Sequence, residues 1–253
     1  MSTDFDTALV NILEKIENHA SAQTKPGILT SQRMKNAAKK LIKFNPAYSA
    51  MTLGMIAAIE GNVGECIKQH ALSLKLGKDP ILNLNQALSM KTLGHNAEAY
   101  RLIEIERDTL MNFYNAIYIY LIIAFNAGQY ESIQTCEDML KIKGATDVPS
   151  IFQPYFDDVN TIVNKAPLPF NTYILIASIQ EEIRLANDAG YTEYLLEDIN
   201  GELYYWSLVK AGSEAINLMN AELKEALSKL EYTNLDEFHI AFRAIEPTLN
   251  LLK

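Results

Sequence analysis

A glycine that closes a helix, recurring at a fixed interval, constrains this 253-residue chain more than any other feature. The stretches are Ala57-Ala58-Ile59-Glu60-Gly61-Asn62, Met90-Lys91-Thr92-Leu93-Gly94-His95 and Phe125-Asn126-Ala127-Gly128-Gln129. Gly94 follows Gly61 by 33 positions, and Gly128 follows Gly94 by 34. A period in this range marks stacked helix pairs, because one pair alone leaves its apolar flank in water and buries it only against the next. Proline punctuation keeps step: Asn45-Pro46 is followed 34 residues later by Asp79-Pro80.

Between those prolines the pattern predicts a helix from about Ala47 to Glu60 and another from about Gly64 to Lys75. The stretch resembles a tetratricopeptide repeat. Leu53-Gly54 resembles the motif's Leu-Gly pair, where a missing side chain admits the neighbouring helix, and Gly61 matches its turn glycine. Cys66-Ile67 stands for the usual Ala-Ile, His70 for an aromatic, and Ser73-Leu74 for Ala-Leu. Asp79-Pro80 resembles the closing Asp-Pro, two residues late. The next unit keeps Ala87, Gly94 and Ala97-Glu98-Ala99-Tyr100. The third offers Ala127-Gly128-Gln129-Tyr130-Glu131-Ser132-Ile133 but has bulky Leu121 at the small-residue position. The resemblance covers residues 45–144 and, loosely, 4–144.

It implies a concave groove lined by the first helices of successive units, here Tyr48, Met51, Met55, Leu84, Leu88, Tyr118, Ile122 and Phe125, with Asn85 among them. The lysines and asparagines that clamp a partner's terminal carboxylate in chaperone-binding members are mostly missing, and Asn85 alone sits suitably. An apolar groove bearing Met and Tyr suits an amphipathic helix. If the chain's own C-terminal helices fill the groove, the same residues are core.

Elsewhere, residues 4–20 read as an amphipathic helix through Ala8, Leu9, Ile12, Leu13 and Ile16. The following helix, capped by Thr30 or Ser31, has Met34, Ala37, Ala38, Leu41 and Ile42 on its apolar face and Arg33, Lys35, Lys39, Lys40 and Lys43 on the other. Past Gly144 the pattern breaks. Asp147-Val148-Pro149-Ser150 caps a helix to about Asn164, with Pro154 in its first turn. The linker Ala166-Pro167-Leu168-Pro169-Phe170 reads as a boundary, since two prolines cannot continue a helix; a helix from Thr172 to about Asp188 follows.

One β signal is clear. Residues 193–210 read as a hairpin about Asn200-Gly201, whose two residues take the positive φ that a type I′ turn demands. In that register Leu195 faces Trp206 and Glu197 faces Tyr204, while on the other side Leu196 faces Tyr205 and Asp198 faces Leu203. Both faces carry large apolar groups, so helices, a further strand or a second chain must cover it. Two helices, about Ser213–Leu230 and Leu235–Leu251, close the chain, the second kinked at Pro247. The fold expected is mainly α: a tetratricopeptide-like helix-pair stack over 1–146, then an acidic α+β region over 147–253.

Charge is divided the same way. The net charge of −9 comes from residues 147–253, with 7 Lys+Arg against 17 Asp+Glu; residues 1–146 hold 15 against 14. An acidic half disfavours nucleic acid and steers a basic partner towards Glu197, Asp198, Glu202, Tyr204 and Trp206 on the hairpin. No apolar run reaches the roughly 18–20 residues that span a bilayer, and the acidic N-terminus is unlike a secretory signal. A cytoplasmic protein is expected. Cys66 and Cys136 fit buried apolar positions better than a disulfide or a metal motif.

No metalloprotease, serine-hydrolase or phosphate-loop motif occurs, and no cofactor is expected. Asp236-Glu237-Phe238-His239 holds half of what a helical di-metal site needs. Three readings remain. The first is a non-enzymatic interaction module, binding a protein through the groove or the acidic hairpin face, one version being a neutraliser of a basic toxin. The second is an enzyme or small-ligand sensor with a pocket between the two regions, using Tyr204, Tyr205, Trp206 and nearby carboxylates. The third is a homodimer formed through the hairpin.

Overall fold

The computed structural model describes residues 3–22, 24–142, 150, 152–166, 168–230 and 238–245. Over these the chain is mainly α-helical with one small sheet. Contacts divide it into two compact units, Met1–Ile117 and Tyr118–Lys253; the sequence pattern, which breaks after Gly144, places the division at 146/147.

The first unit contains α1 (Thr3–Ser21), α2 (Ile28–Lys40), α3 (Pro46–Glu60), α4 (Val63–Leu76), α5 (Pro80–Thr92), α6 (Asn96–Glu104) and α7 (Arg107–Leu110). Its helix starts obey local chemistry. Asn45 Oδ1 accepts from Ala47 N at 3.1 Å and Tyr48 N at 3.3 Å, and Pro46, which has no N–H to satisfy, occupies the first turn. Asp79 and Pro80 repeat the device at α5, with Ile81 N donating to Asp79 Oδ1 at 3.0 Å. Asn62 caps α4 through Glu65 N at 3.0 Å.

All three spaced glycines adopt the left-handed conformation, with φ of 79° at Gly61, 79° at Gly94 and 68° at Gly128. Each makes the same pair of bonds. Gly61 N donates to Ala58 O and Asn62 N to Ala57 O; Gly94 N to Lys91 O and His95 N to Met90 O; Gly128 N to Phe125 O and Gln129 N to Ala124 O. This is the Schellman end, which satisfies carbonyls that an α-helix terminus leaves open.

Where α3 crosses α4, a Cβ at Gly54 would stand 2.6 Å from His70 Cδ2, so the absent side chain is what admits the imidazole. Helix α1 lays Phe5, Ile12 and Ile16 against Met34, Ala38, Leu41, Ile56 and Ile59. Two expectations for α2 need correction. It begins at Ile28 after Gly27, without a side-chain cap, and the Ser31 hydroxyl instead bonds Glu60. Ile42 is 59% exposed, because the chain tightens into a 3₁₀ turn over Leu41–Lys43 and rotates that side chain off the apolar face.

In the second unit, α8 (Tyr114–Asn126, which spans the division) and α9 (Tyr130–Ile142) are followed by α10 (Gln153–Lys165) and α11 (Phe170–Ala186). Pro154 falls in the first turn of α10; the capping residues Asp147, Val148 and Pro149 lie outside the described residues. Then come β1 (Gly190–Ile199), β2 (Glu202–Lys210), α12 (Ser213–Ser228) and β3 (Phe238–Ala244).

The hairpin has the expected register: Leu195 opposite Trp206, Leu196 opposite Tyr205, Glu197 opposite Tyr204 and Asp198 opposite Leu203. Asn200 and Gly201 have φ of 56° and 92°, as the tight turn requires. The helix expected over Leu235–Leu251 is corrected: residues 238–244 form a strand, paired parallel to β2, giving the order β1-β2-β3. Phe238, Ile240 and Phe242 alternate with His239, Ala241 and Arg243, a period of two that puts three apolar groups on one face. α12 supplies the crossover that parallel neighbours need. That inner face, through Val209 and Phe242, meets Ile179 and Ile183 of α11 and Ile216, Met219 and Leu223 of α12. Pro247 lies outside the described residues.

Candidate functional site

The opposite face of the sheet carries Glu197 from β1, Glu202, Tyr204 and Trp206 from β2, and His239 and Arg243 from β3. Strand alternation puts them on one side, and the parallel pairing Tyr204 with His239 and Leu208 with Arg243 brings β3 into the group. The aromatic rings form a series: His239 lies 4.5 Å from Tyr204 at 21°, and Tyr204 lies 5.5 Å from Trp206 at 14°. The Arg243 guanidinium sits 5.5 Å from the centroid of the Trp206 ring, a cation–π contact.

Carboxylates tie the series down. Glu197 Oε2 accepts from Trp206 Nε1 at 2.7 Å and from Arg243 at 3.1 Å. Glu202 Oε2 accepts from the Tyr204 hydroxyl at 2.9 Å and lies 3.3 Å from His239 Nε2. The bond to Glu202 raises the Tyr204 phenol above its ordinary value, since ionising it would set two anions together. Asp198, on the other side of β1, pairs with Lys165 and also accepts from Gly201 N at 3.0 Å. The bond from Lys165 holds that carboxyl below its usual range. The acids expected to make an open anionic patch are therefore each engaged within the molecule, and what the face presents is a braced row of Trp, Tyr, His and Arg. Glu197 and Arg243 remain about a third exposed, at 34% and 38%.

Tyr205 does not join this face. It points to the inner side, 2% exposed, stacked 4.7 Å from Tyr194. Tyr204, Tyr205 and Trp206 thus do not line one pocket.

The groove residues divide between the two units. In the first, Tyr48 sets its ring edge-on to Phe5 of α1 at 5.9 Å and donates its hydroxyl to Asp79 Oδ2 at 2.8 Å. Met51 is fully buried with Ala47 and Leu82, and Leu9 and Leu13 of α1, with Met55, pack on that cluster. Leu84 and Asn85 are buried, with Asn85 Nδ2 donating to Ile81 O at 2.8 Å; Leu88 is half-buried. In the second unit, Tyr118 stacks on Phe152 at 6.3 Å, Phe125 is buried among Tyr130, Tyr155 and Tyr205, and Ile122 is half-buried. Within the first unit it is the N-terminal helix α1 that covers Tyr48, Met51 and Met55.

His239 and Arg243 were not in the sequence-derived face because their strand reads as a helix. The alternation of Phe238, Ile240 and Phe242 was the signal available. Asp236 and Glu237 lie outside the described residues, and among those described no group of three His, Cys, Asp or Glu could hold a metal ion. No helix among them is long and apolar enough to cross a membrane.

No protein-family model, no curated protein and no solved structure matches the chain.

Proposed function

We propose that this protein is a cytoplasmic, non-enzymatic interaction module that docks a partner protein on the outer face of its sheet. The observation that carries the reading is the row Tyr204, Trp206 and Arg243, half-exposed and fixed by Glu197 and Glu202. Trp, Tyr and Arg are the residues in which binding energy concentrates at protein interfaces. Holding them in place beforehand removes part of the entropy cost of association. The partner we infer has a basic surface. The −10 of residues 147–253 steers it from a distance, while the paired carboxylates orient the contact groups rather than bind charge directly. The helix pairs, tetratricopeptide-like on the strength of three identical glycine turns, act as the scaffold. Two buried cysteines outside any disulfide are in keeping with a reducing compartment.

The test is cross-linking of the full-length protein in its host cells, comparing wild type with Trp206→Ser and with Leu72→Ser, a change at an exposed position of the first unit. Partners lost with Trp206→Ser and retained with Leu72→Ser, with capture falling as salt rises, are the expected result. Equal recovery with Trp206→Ser overturns the reading.

A further inference from the structure

Within the second unit, α11 turns Thr172, Tyr173, Ile176, Ala177, Gln180 and Arg184 inward. Two polar neighbours on this face are satisfied. The Tyr173 hydroxyl donates to Ala166 O and accepts from Leu168 N, and Arg184 donates to Ala189 O at 3.0 Å. Gln180 is 1% exposed, and neither its Nε2 nor its Oε1 has a hydrogen-bond partner among the described residues. A carboxamide offers two donors and an acceptor oxygen with two lone pairs. Burying all of them dry is among the costlier things a core can contain, so such a group calls for an occupant.

The surroundings are polar and aromatic. Tyr130 meets Tyr173 at 5.0 Å, and Phe125 links Tyr130, 5.5 Å away, to Tyr205, 6.5 Å away. Tyr205 stacks on Tyr194, whose phenol burial raises, with Glu181 adding to the rise and Arg184 opposing it. The tyrosines therefore meet α11 at Tyr173 and again near Arg184, about 16 Å apart along the helix, and Gln180 sits on the same face between those points.

We propose that this interior is a binding site for a small neutral molecule with an amide-like edge, a donor beside an acceptor, that pairs with the Gln180 carboxamide and rests among the tyrosines. Neutrality follows from burial, since Gln180 is 1% exposed and an ion brought there would lose its hydration for a carboxamide that carries no countercharge. The edge follows from Gln180 itself, since an amide, a lactam or a pyrimidine base answers a donor and an acceptor together. Primary amides and ring lactams share this chemistry. The site is separate from the outer sheet face, so failure of either proposal leaves the other standing.

Saturation-transfer NMR on the full-length protein tests it, with nicotinamide as the primary amide, uracil as the lactam, and toluene as an aromatic without the edge. At least one of the first two is expected to bind at millimolar concentration, with toluene silent, and Gln180→Leu is expected to weaken binding by about tenfold or more. Nicotinamide alone binding assigns a primary amide; uracil alone assigns a lactam. Should Gln180→Leu fail to fold, Gln180→Met, nearly isosteric and without the amide, takes its place. No binding of either probe to the wild type, or equal binding to the variant, overturns the site and leaves ordered water as the partner of Gln180.

Discussion

His70 shows how much a single tautomer decides. Its ring is wholly buried, with Nε2 at 2.9 Å from Ser89 Oγ. Ser89 spends its own proton on Asn85 O at 2.8 Å, so Nε2 must be the donor and Nδ1 the bare nitrogen. Nδ1 has no partner among the described residues, and a proton added there would be buried without an acceptor. Burial accordingly lowers the imidazole from 6.5 to about 4. Between those values the unfolded chain binds more protons than the folded one, so stability rises with pH across the window. It is fully present above about 6.5 and is lost as pH falls towards 4, by roughly 3 kcal/mol at most. Urea unfolding at pH 7 and pH 4.5 is expected to show that loss in the wild type and little of it in His70→Phe. An equal loss in both would place the acid sensitivity elsewhere. The opposite sign belongs to Asp158 in the second unit, which burial raises to about 6. Its folded form holds the proton more tightly, so its contribution improves as pH falls from 6 to the unfolded value near 4. The close approach of a neighbouring helix at Gly54 was expected from a resemblance in sequence, while the identity of His70 as the group that fills the gap was not. The rotation of Ile42 was not, since a 3₁₀ turn leaves no mark on helical spacing.

At the scale of elements, the hairpin's register near its turn was readable and its neighbouring strand was missed, for one reason. Asn200-Gly201 sets a local register, and the pairings from Ile199 back to Glu193 follow from it, until a bulge between Tyr191 and Glu193 shifts the rest by one. β3 pairs with β2 only after the α12 crossover, so no turn announces it. Its largest groups, Phe238 and Phe242, are four apart, a spacing that suits a helix face as well as a strand face. Ile240 separates the two cases: a strand puts it beside the phenylalanines, and a helix puts it opposite. It packs on the cluster of Val209, Met219 and Phe242. Ile240→Ala is expected to cost about 1–2 kcal/mol and Ala241→Ser within about 0.5 kcal/mol, read from urea midpoints. The reverse order would favour the helix. The same miss hid His239 and Arg243 from the candidate site, while Glu197, Tyr204 and Trp206 could be grouped from the hairpin alone.

For the whole molecule, the period of the glycines was visible and the partition of contacts was not. Prolines and charge mark where a chain changes direction or composition. Contacts depend on what a helix meets, and α9 packs on α10 and α11, which places the third glycine turn in the second unit. That difference has a measurable consequence, because three turns alike in backbone have unlike surroundings. A Cβ on Gly61 would find only the mobile end of Lys25, 3.2 Å away. On Gly128 it would stand 2.5 Å from the carbonyl oxygen of Tyr173 and 3.1 Å from Ala177 Cβ. Gly61→Ala should therefore cost about 1 kcal/mol, the strain of a left-handed residue with a side chain. Gly128→Ala adds a collision with backbone that cannot step aside, and about 3 kcal/mol or more is expected. Trp206, the single tryptophan, lies in the second unit, so its fluorescence reports the Gly128 variant directly while far-UV circular dichroism tracks both. Equal costs for the two substitutions would mean that α11 does not press on the third turn, and the packing of α9 against α11 would have to be redrawn.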